Sequence, residues 1–542
     1  MENNEYREFA HAAGTNAENG GESRDEAKYA AVACGVPPRK TERAFSPGET
    51  AAAWIALIAG YALMRAFPAS GHPLGAAAVA ASMYILTAVF VLTRGKKLSA
   101  RDIVFPVAAI MLSAGYITTS VPFLRTLISL WCAVSYVYWV YCALAGSDES
   151  FPGELAFFDF IKAAFIMPFS SFGSIWKALF AKKSGRRGGR TFAWILLGLA
   201  VAVVPTAAVI ALLSYDEAFT EMLRKVTEWP LGNIFSHFLS VLFGVPAAMY
   251  IFGLLISSVD GKHGNILRAE TCRKTIRGVR FAPAPLGAAA LTPALLVYAV
   301  FFVSQIENYC MAFSGQKPDG LIYSEYAREG FFELCAVAAI NAVLLLIAGV
   351  FMKRNSEKAP LLRIYASLYS VFTLVLIATA ISKMALYIGE FGLTRLRVLT
   401  CCFMVLLAVC FVAVLLKQFV RKLNLVGVIV CASVLCLAAV SLTDVDELIA
   451  EYNVNAYLSG NLEEMDVYHF YDLGDGAVPS AVKLAASENV ESEIRSRTET
   501  YLDNMAENYA SDEKGIFSWS IPRAKAEAAL ERTGRLATDG GK

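Results

Sequence analysis

Eleven apolar stretches, most of them about twenty residues long, set the limits on what this chain can fold into. They cover 51–67, 73–93, 103–121, 123–145, 192–214, 234–258, 286–306, 331–351, 361–387, 398–416 and 424–442. A helix rises about 1.5 Å per residue, so roughly twenty apolar residues cross the ~30 Å hydrocarbon core of a bilayer. Within that core each backbone N–H and C=O needs an internal partner, which helices supply along their own length. Composition points the same way: 56% of the residues are hydrophobic and only 18% carry charge. The expected fold is an all-α, polytopic transmembrane bundle of about eleven spans. A secreted, a disordered or a nucleic-acid-binding globular protein is excluded as the main reading.

Charge orients the bundle. The loops 94–101, 146–191, 259–285, 352–360 and 417–422 hold 23 Lys or Arg, whereas 68–72, 121–125, 215–233, 305–330 and 388–397 hold 7. The excess of basic residues marks the cytoplasmic set. Eleven spans then leave the N-terminus in the cytoplasm and the C-terminus outside. The net charge of +1 hides a matching asymmetry, because 443–542 holds 20 acidic and 9 basic residues. Residues 1–50 read as a disordered polar cytoplasmic tail, 51–442 as the bundle, and 443–542 as a small acidic extracytoplasmic helical domain. The charged start is not followed by an early apolar run, so no cleavable signal peptide is expected, and the first span serves as the signal.

One cytoplasmic loop is itself apolar. Residues 151–181 carry Phe157, Phe158, Phe160, Phe165, Phe169, Phe172, Trp176 and Phe180, followed by Lys182, Lys183, Arg186, Arg187 and Arg190. Asp159, Lys162 and Pro168 interrupt the run. It suits short interfacial helices whose basic end meets lipid headgroups, or a loop packed on the bundle. The eleven cysteines form no C-x-x-C pair and the five histidines no zinc spacing, so neither metal nor cofactor is expected.

Charge inside lipid is costly, and it gathers here toward the outer ends of spans seven to ten. Glu307 ends the seventh. Tyr326, Arg328, Glu329 and Glu333 lead into the eighth, where 329, 333, 337 and 341 form one helical stripe. Tyr365, Tyr369, Thr373, Lys383, Tyr387 and Glu390 follow on the ninth, and Thr394, Arg395 and Arg397 open the tenth. Glu333 and Lys383 are the deepest acid and base. Three readings fit: an ion-pair lattice that fixes helix registry, an outward-facing pocket for an ion, solute or lipid headgroup, or a catalytic site with paired carboxylates. No phosphate-binding loop, zinc-protease motif or nucleophile elbow supports the last.

The stretches 326–334 (YAREGFFEL), 392–398 (GLTRLRV) and 452–457 (YNVNAY) resemble bacterial membrane proteins catalogued as domain of unknown function 4173, with relatives under 4153. The resemblance covers roughly residues 50–490. It implies a bacterial plasma membrane and makes Tyr326, Arg328, Glu329, Thr394, Arg395 and Arg397 the polar signature.

After the last span, 443–446 (TDVD) reads as a helix start, with further helices at about 464–473, 477–487, 490–509 and 522–533. The leading functional expectation is a non-enzymatic membrane protein, transporter-like or sensing, that acts through the outward pocket. The alternatives are a structural or signalling envelope component that binds a partner protein through 443–542, and a lipid-linked membrane enzyme. Membrane lipids are expected partners; nucleic acid is not.

Overall fold

The computed structural model describes residues 43–66, 72–96, 100–146, 155–180, 216–228, 232–261, 269–313, 331–352, 359–420, 422–511 and 515–536, with 153, 198, 209, 212 and 213 between them. Most of the polar tail and nearly all of the expected span 192–214 lie outside the described residues. So do Lys182, Lys183, Arg186, Arg187 and Arg190. The chain divides into a unit of residues 1–50 and a much larger one of 51–542.

In the first unit Ser46 and Glu49 form a capping box. The Ser46 N–H donates to Glu49 Oε2 at 2.8 Å, and the Glu49 N–H donates to Ser46 Oγ at 3.3 Å. Helix α1 (Pro47–Ala66) starts there.

The described residues hold helices and no strands. Helices α2 (Pro73–Thr93), α3 (Ala100–Ser113), α4 (Gly115–Thr118) and α5 (Pro122–Tyr141) follow. The expected break at 121–122 is where α5 begins. Pro122 occupies its first turn, where its missing N–H costs nothing. The stretch 103–121 is not one helix. It breaks at Ala114, and a Cβ on Gly115 would lie 2.7 Å from Ile128 Cδ1 and 3.0 Å from Ser441 Cβ.

Residues 151–181 contain α6 (Ala156–Ile161), a π-helical turn over Lys162–Ile166, α7 (Met167–Ser170) and α8 (Ser174–Phe180). Beyond it come α9 (Glu217–Glu228), α10 (Gly232–Asp260), α11 (Ala269–Val279), α12 (Ala284–Phe313), α13 (Phe331–Phe351), α14 (Ala359–Phe391), α15 (Arg395–Phe419) and α16 (Leu425–Ser441). Helix α14 packs against α12, α13 and α15, while α2, α3 and α5 form a second group.

Ten of the eleven apolar stretches therefore hold described helices, and the eleventh, 192–214, lies almost wholly outside the described residues. Among the described residues six helical segments are long and apolar enough to cross a membrane: Pro73–Thr93, Pro122–Ala145, Ser236–Asp260, Pro285–Ser304, Leu361–Phe391 and Arg395–Phe419. The count rises to eight if two bent pairs are each one span. One pair is Ala156–Ser170 with Ser174–Phe180, bent by 47°. The other is Leu425–Ser441 with Val445–Leu458, bent by 60°.

The C-terminal helices are α17 (Val445–Leu458), α18 (His469–Leu473), α19 (Val478–Ala486), α20 (Ser492–Ser511) and α21 (Ile521–Arg532). They start within a few residues of the expected positions. The cap of α17 is Asp444, which accepts the Glu447 N–H at 3.2 Å. Ile449, Phe470, Leu473, Leu484, Tyr501 and Leu530 are buried together with Val121, Leu124 and Val440 of the apolar helices. One core thus serves both, and this region shares a compact unit with the bundle. That shared core explains why α17–α21 hold together despite their polar composition: α17 and α21 meet the bundle, and α18–α20 pack on them and on one another.

Candidate functional site

The sharpest polar arrangement lies where α14 turns into α15 and meets α17. Helix α14 ends at Phe391, and Gly392 reverses the chain with a φ of +72°, a conformation glycine adopts without steric cost. Thr394 caps α15 by accepting the Arg397 N–H at 3.4 Å. The turn is held from outside by Asn453 of α17. Its Oδ1 accepts the Leu393 N–H at 2.7 Å and its Nδ2 donates to the Leu393 carbonyl at 2.9 Å. A Cβ on Gly392 would sit 2.5 Å from Asn453 Oδ1, so this contact requires glycine.

One residue into α15, Arg395 makes a fork-on-fork pair with Asp446. Nε reaches Oδ1 at 2.6 Å and Nη2 reaches Oδ2 at 2.7 Å. Asp446 is completely buried and Arg395 is 30% exposed, so the guanidinium bridges the protein interior and the surface. The bidentate geometry is what makes burial of the carboxylate tolerable. Gly476 backs the pair. A Cβ there would lie 2.6 Å from the Cβ of Asp446 and 2.8 Å from the Glu447 nitrogen.

Arg397 does different work. Its Nη1 donates to the carbonyls of Phe391 at 2.9 Å and Gly392 at 2.5 Å, and its guanidinium lies 4.0 Å from the Tyr387 ring centre. A cation there satisfies carbonyls that the end of α14 leaves without a helical partner.

Asp444 completes the cluster. Burial, with the charges of Glu447 and Asp446 adding to it, pushes its carboxyl up to about 6, against the Glu447 N–H bond and Lys525, which lower it. Lys525 of α21 in turn pairs with Glu447.

The expected site residues are distributed as follows. Thr394, Arg395 and Arg397 are brought to one corner. Lys383 is half-buried and Glu390 exposed on α14. Tyr326, Arg328 and Glu329 lie outside the described residues, as do the side chains of Glu307 and Glu333, so the pairing of Glu333 with Lys383 lies outside them too. Deeper in the bundle Tyr298 donates to Asn341 Oδ1 at 2.7 Å, and Asn341 Nδ2 donates to Thr373 Oγ1 at 2.9 Å. Tyr369 donates to the Leu291 carbonyl at 2.8 Å. This seam joins α12, α13 and α14. Among the described residues no group of three or more His, Cys, Asp or Glu is placed to hold a metal ion.

Asp446 and Asn453 were not singled out as site residues from sequence. The signal was present. Asp446, Ile449, Ala450 and Asn453 share one face of α17, and a carboxylate on an apolar stripe calls for a buried partner.

Helices of this length and apolarity, welded to a helical C-terminal region, define an integral membrane protein. The family model of Domain of unknown function (DUF4153) matches residues 107–484, well over half of the chain, and the chain belongs to that family. The match takes in Arg395, Asp446 and Asn453 and stops inside α19. No curated protein and no solved structure matches the chain.

Proposed function

We propose that this protein is a non-enzymatic component of a bacterial plasma membrane that handles or senses an ion, solute or lipid headgroup. The site is an outward-facing polar cluster formed by Glu307, Tyr326, Arg328, Glu329, Glu333, Lys383, Glu390, Thr394, Arg395 and Arg397. Eleven spans place the N-terminus in the cytoplasm and the acidic C-terminal helices outside, as the loop charges require. Kinship to domain of unknown function 4173, beside the shown family, belongs to the same reading. The basic run Lys182, Lys183, Arg186, Arg187 and Arg190 meets anionic headgroups at roughly 1 kcal/mol per charge.

The observation that carries the reading is the Arg395–Asp446 pair. It ties one cation of the cluster to a fully buried carboxylate of α17, so occupation of the cluster by a charged ligand acts on the C-terminal helices through one shared side chain. The test is a ligand screen on protein in liposomes, read by flux and by thermal stabilisation. A response that falls in Glu333→Gln and Lys383→Met supports the pocket. If both variants fold normally and no ion, solute or lipid shifts either readout of the unmodified protein, the pocket is refuted.

A second reading, a signalling or structural envelope component, is favoured by the exposed Ile516, Phe517 and Trp519 ahead of α21. Because α17–α21 share a core with the bundle, deleting 443–542 would unfold more than a binding face. Ile516→Ser with Phe517→Ser is the cleaner test, and loss of a specific crosslinked partner supports this reading.

A further inference from the structure

Between α20 and α21 the chain presents three large apolar side chains within four positions. Ile516 is 80% exposed, Phe517 62% and Trp519 46%, in a helical region whose other large apolar groups mostly lie in the shared core. Facing water, such a group is unfavourable, so its surroundings decide what covers it.

The turn is held in place from both sides. Ser520 and Pro522, which open α21, are buried, and Ala526 and Leu530 further along are buried together with Val121 and Leu124. On the other side 516–518 packs against α2. A Cβ on Gly75 would lie 3.6 Å from the Cβ of Phe517, an ordinary van der Waals contact.

That contact fixes depth. Helix α2 is 21 residues long and is apolar enough to cross a membrane. Its length is about 32 Å, against a hydrocarbon core of ~30 Å. Such a span has little to spare at either end, so its third residue, Gly75, sits where hydrocarbon gives way to headgroups. Phe517 is level with it.

Two neighbouring apolar helices mark the same level. Thr118 of α4, which packs against α2, donates to the Ser441 carbonyl at the end of α16 at 2.5 Å. Helix α5 starts just beyond, at Pro122. The start of α2, the start of α5 and the end of α16 therefore share one boundary. Phe123 and Leu442, at two of these helix ends, are exposed as well.

The turn also suits that boundary chemically. The Ser518 N–H donates to the Gly515 carbonyl at 3.0 Å and the Trp519 N–H to that of Ile516 at 3.4 Å. The Ser518 hydroxyl donates to the Gly515 carbonyl at 2.6 Å. Polar groups paired inside a turn lose little on leaving water. A tryptophan at a membrane boundary buries its ring and keeps its indole N–H among headgroups.

We propose that 515–519 is a membrane foot. Ile516, Phe517 and Trp519 enter the bilayer beside the start of α2, where phospholipid headgroups meet acyl chains, and pin α21 to the membrane surface. A protein partner at the same side chains is the rival occupant, and it would have to displace phospholipid from a surface level with the end of a span. The foot does not depend on the polar cluster of Arg395 and its neighbours, and it holds for either orientation of the bundle.

The test places the photocrosslinker p-benzoylphenylalanine at position 517 of the full-length chain, in the cells that naturally make it. Irradiated membranes should yield chain whose mass has risen by one phospholipid. A discrete protein adduct in place of the phospholipid overturns the proposal in favour of a partner, and the absence of any lipid adduct overturns it too. A second measurement leaves Phe517 untouched. In vesicles of phosphatidylcholine brominated near the headgroup end of its acyl chains, Trp519→Phe should lose part of the tryptophan quenching seen in the unmodified protein. Identical quenching in the two would place Trp519 outside the bilayer and refute the foot.

Discussion

Asn453 of α17 holds both backbone polar groups of Leu393, accepting its N–H at 2.7 Å and donating to its carbonyl at 2.9 Å. One side chain thereby replaces two bonds that the turn between α14 and α15 cannot make for itself. Asn453→Ala leaves a half-buried N–H and C=O without these partners, and unsatisfied groups of this kind cost about 1–3 kcal/mol each. The variant should show a lower thermal unfolding midpoint in detergent than the unmodified protein. Asn453→Asp should do no better, since it keeps the acceptor, loses the donor and adds a charge at a half-buried position.

Arg395 and Asp446 should behave as a coupled pair. Arg395→Gln strands a buried carboxylate, at roughly 3 kcal/mol for a broken buried pair. Asp446→Asn leaves a guanidinium that still reaches solvent and should be milder. In a double-mutant cycle read by denaturant unfolding, the double variant should lose well under the sum of the two single losses. Additive losses would show that the two groups do not interact. Arg395→Lys should recover only part of the stability, because a point charge cannot span both carboxylate oxygens.

The helices were legible because lipid makes a simple demand, about twenty apolar residues, and every apolar stretch within the described residues contains helix. What sequence could not supply was the interruption at Ala114. The stretch 103–121 reads as a continuous span, yet a single turn residue, Ala114, separates α3 from α4, beside a Gly115 that has no room for a Cβ next to Ile128 and Ser441. Periodicity is blind to an approach between residues more than three hundred positions apart. The polar corner was half legible. Arg395 and Arg397 stand out as charges at the start of an apolar run, but their roles depend on partners. Arg397 turns back on its own chain to Tyr387 and Gly392. Arg395 reaches across 51 positions to an aspartate that had looked like part of a helix start.

Gly392 and Gly476 make a paired prediction about space. Gly392→Ala combines a positive φ, worth about 1–2 kcal/mol for a residue with a Cβ, with an overlap against Asn453 Oδ1. Adding Asn453→Ala removes the overlap but not the backbone strain, so the double variant should lose less than the sum. Gly476→Ala meets the backbone nitrogen of Glu447 and Asp446 Cβ, neither of which can rotate away. It should destabilise whether or not Asp446 is changed, and differential scanning fluorimetry distinguishes the two cases.

The seam between α12, α13 and α14 should tolerate loss better than the corner does. Tyr298→Phe removes one bond to Asn341 and leaves the ring against Tyr369 and Phe372. Interhelical hydrogen bonds inside bilayers are worth about 0.6 kcal/mol on average, because the alternative states also find partners. A small drop in thermal midpoint is expected for Tyr298→Phe. Asn341→Leu should cost more, since it breaks the bonds to both Tyr298 and Thr373.

Asp444 gives the chain a pH dependence whose sign is fixed. Its carboxyl titrates near 6 in the folded protein against an ordinary value of 3.8. The folded state therefore holds this proton more tightly than the unfolded one. The group's contribution is fully present below about 4 and is lost as pH rises through 6, the opposite of a salt-bridged aspartate. Because Asp444 remains partly solvated, the loss is on the order of 1 kcal/mol after screening. Asp444→Asn keeps the oxygen that caps α17 through the Glu447 N–H and removes the charge. Unfolding free energies measured from pH 4 to 8 should fall with pH in the unmodified protein and more shallowly in Asp444→Asn. The two curves should draw apart between about pH 4 and 6 and run parallel above it, with Asp444→Asn the more stable there. An unchanged slope would assign the dependence to another group.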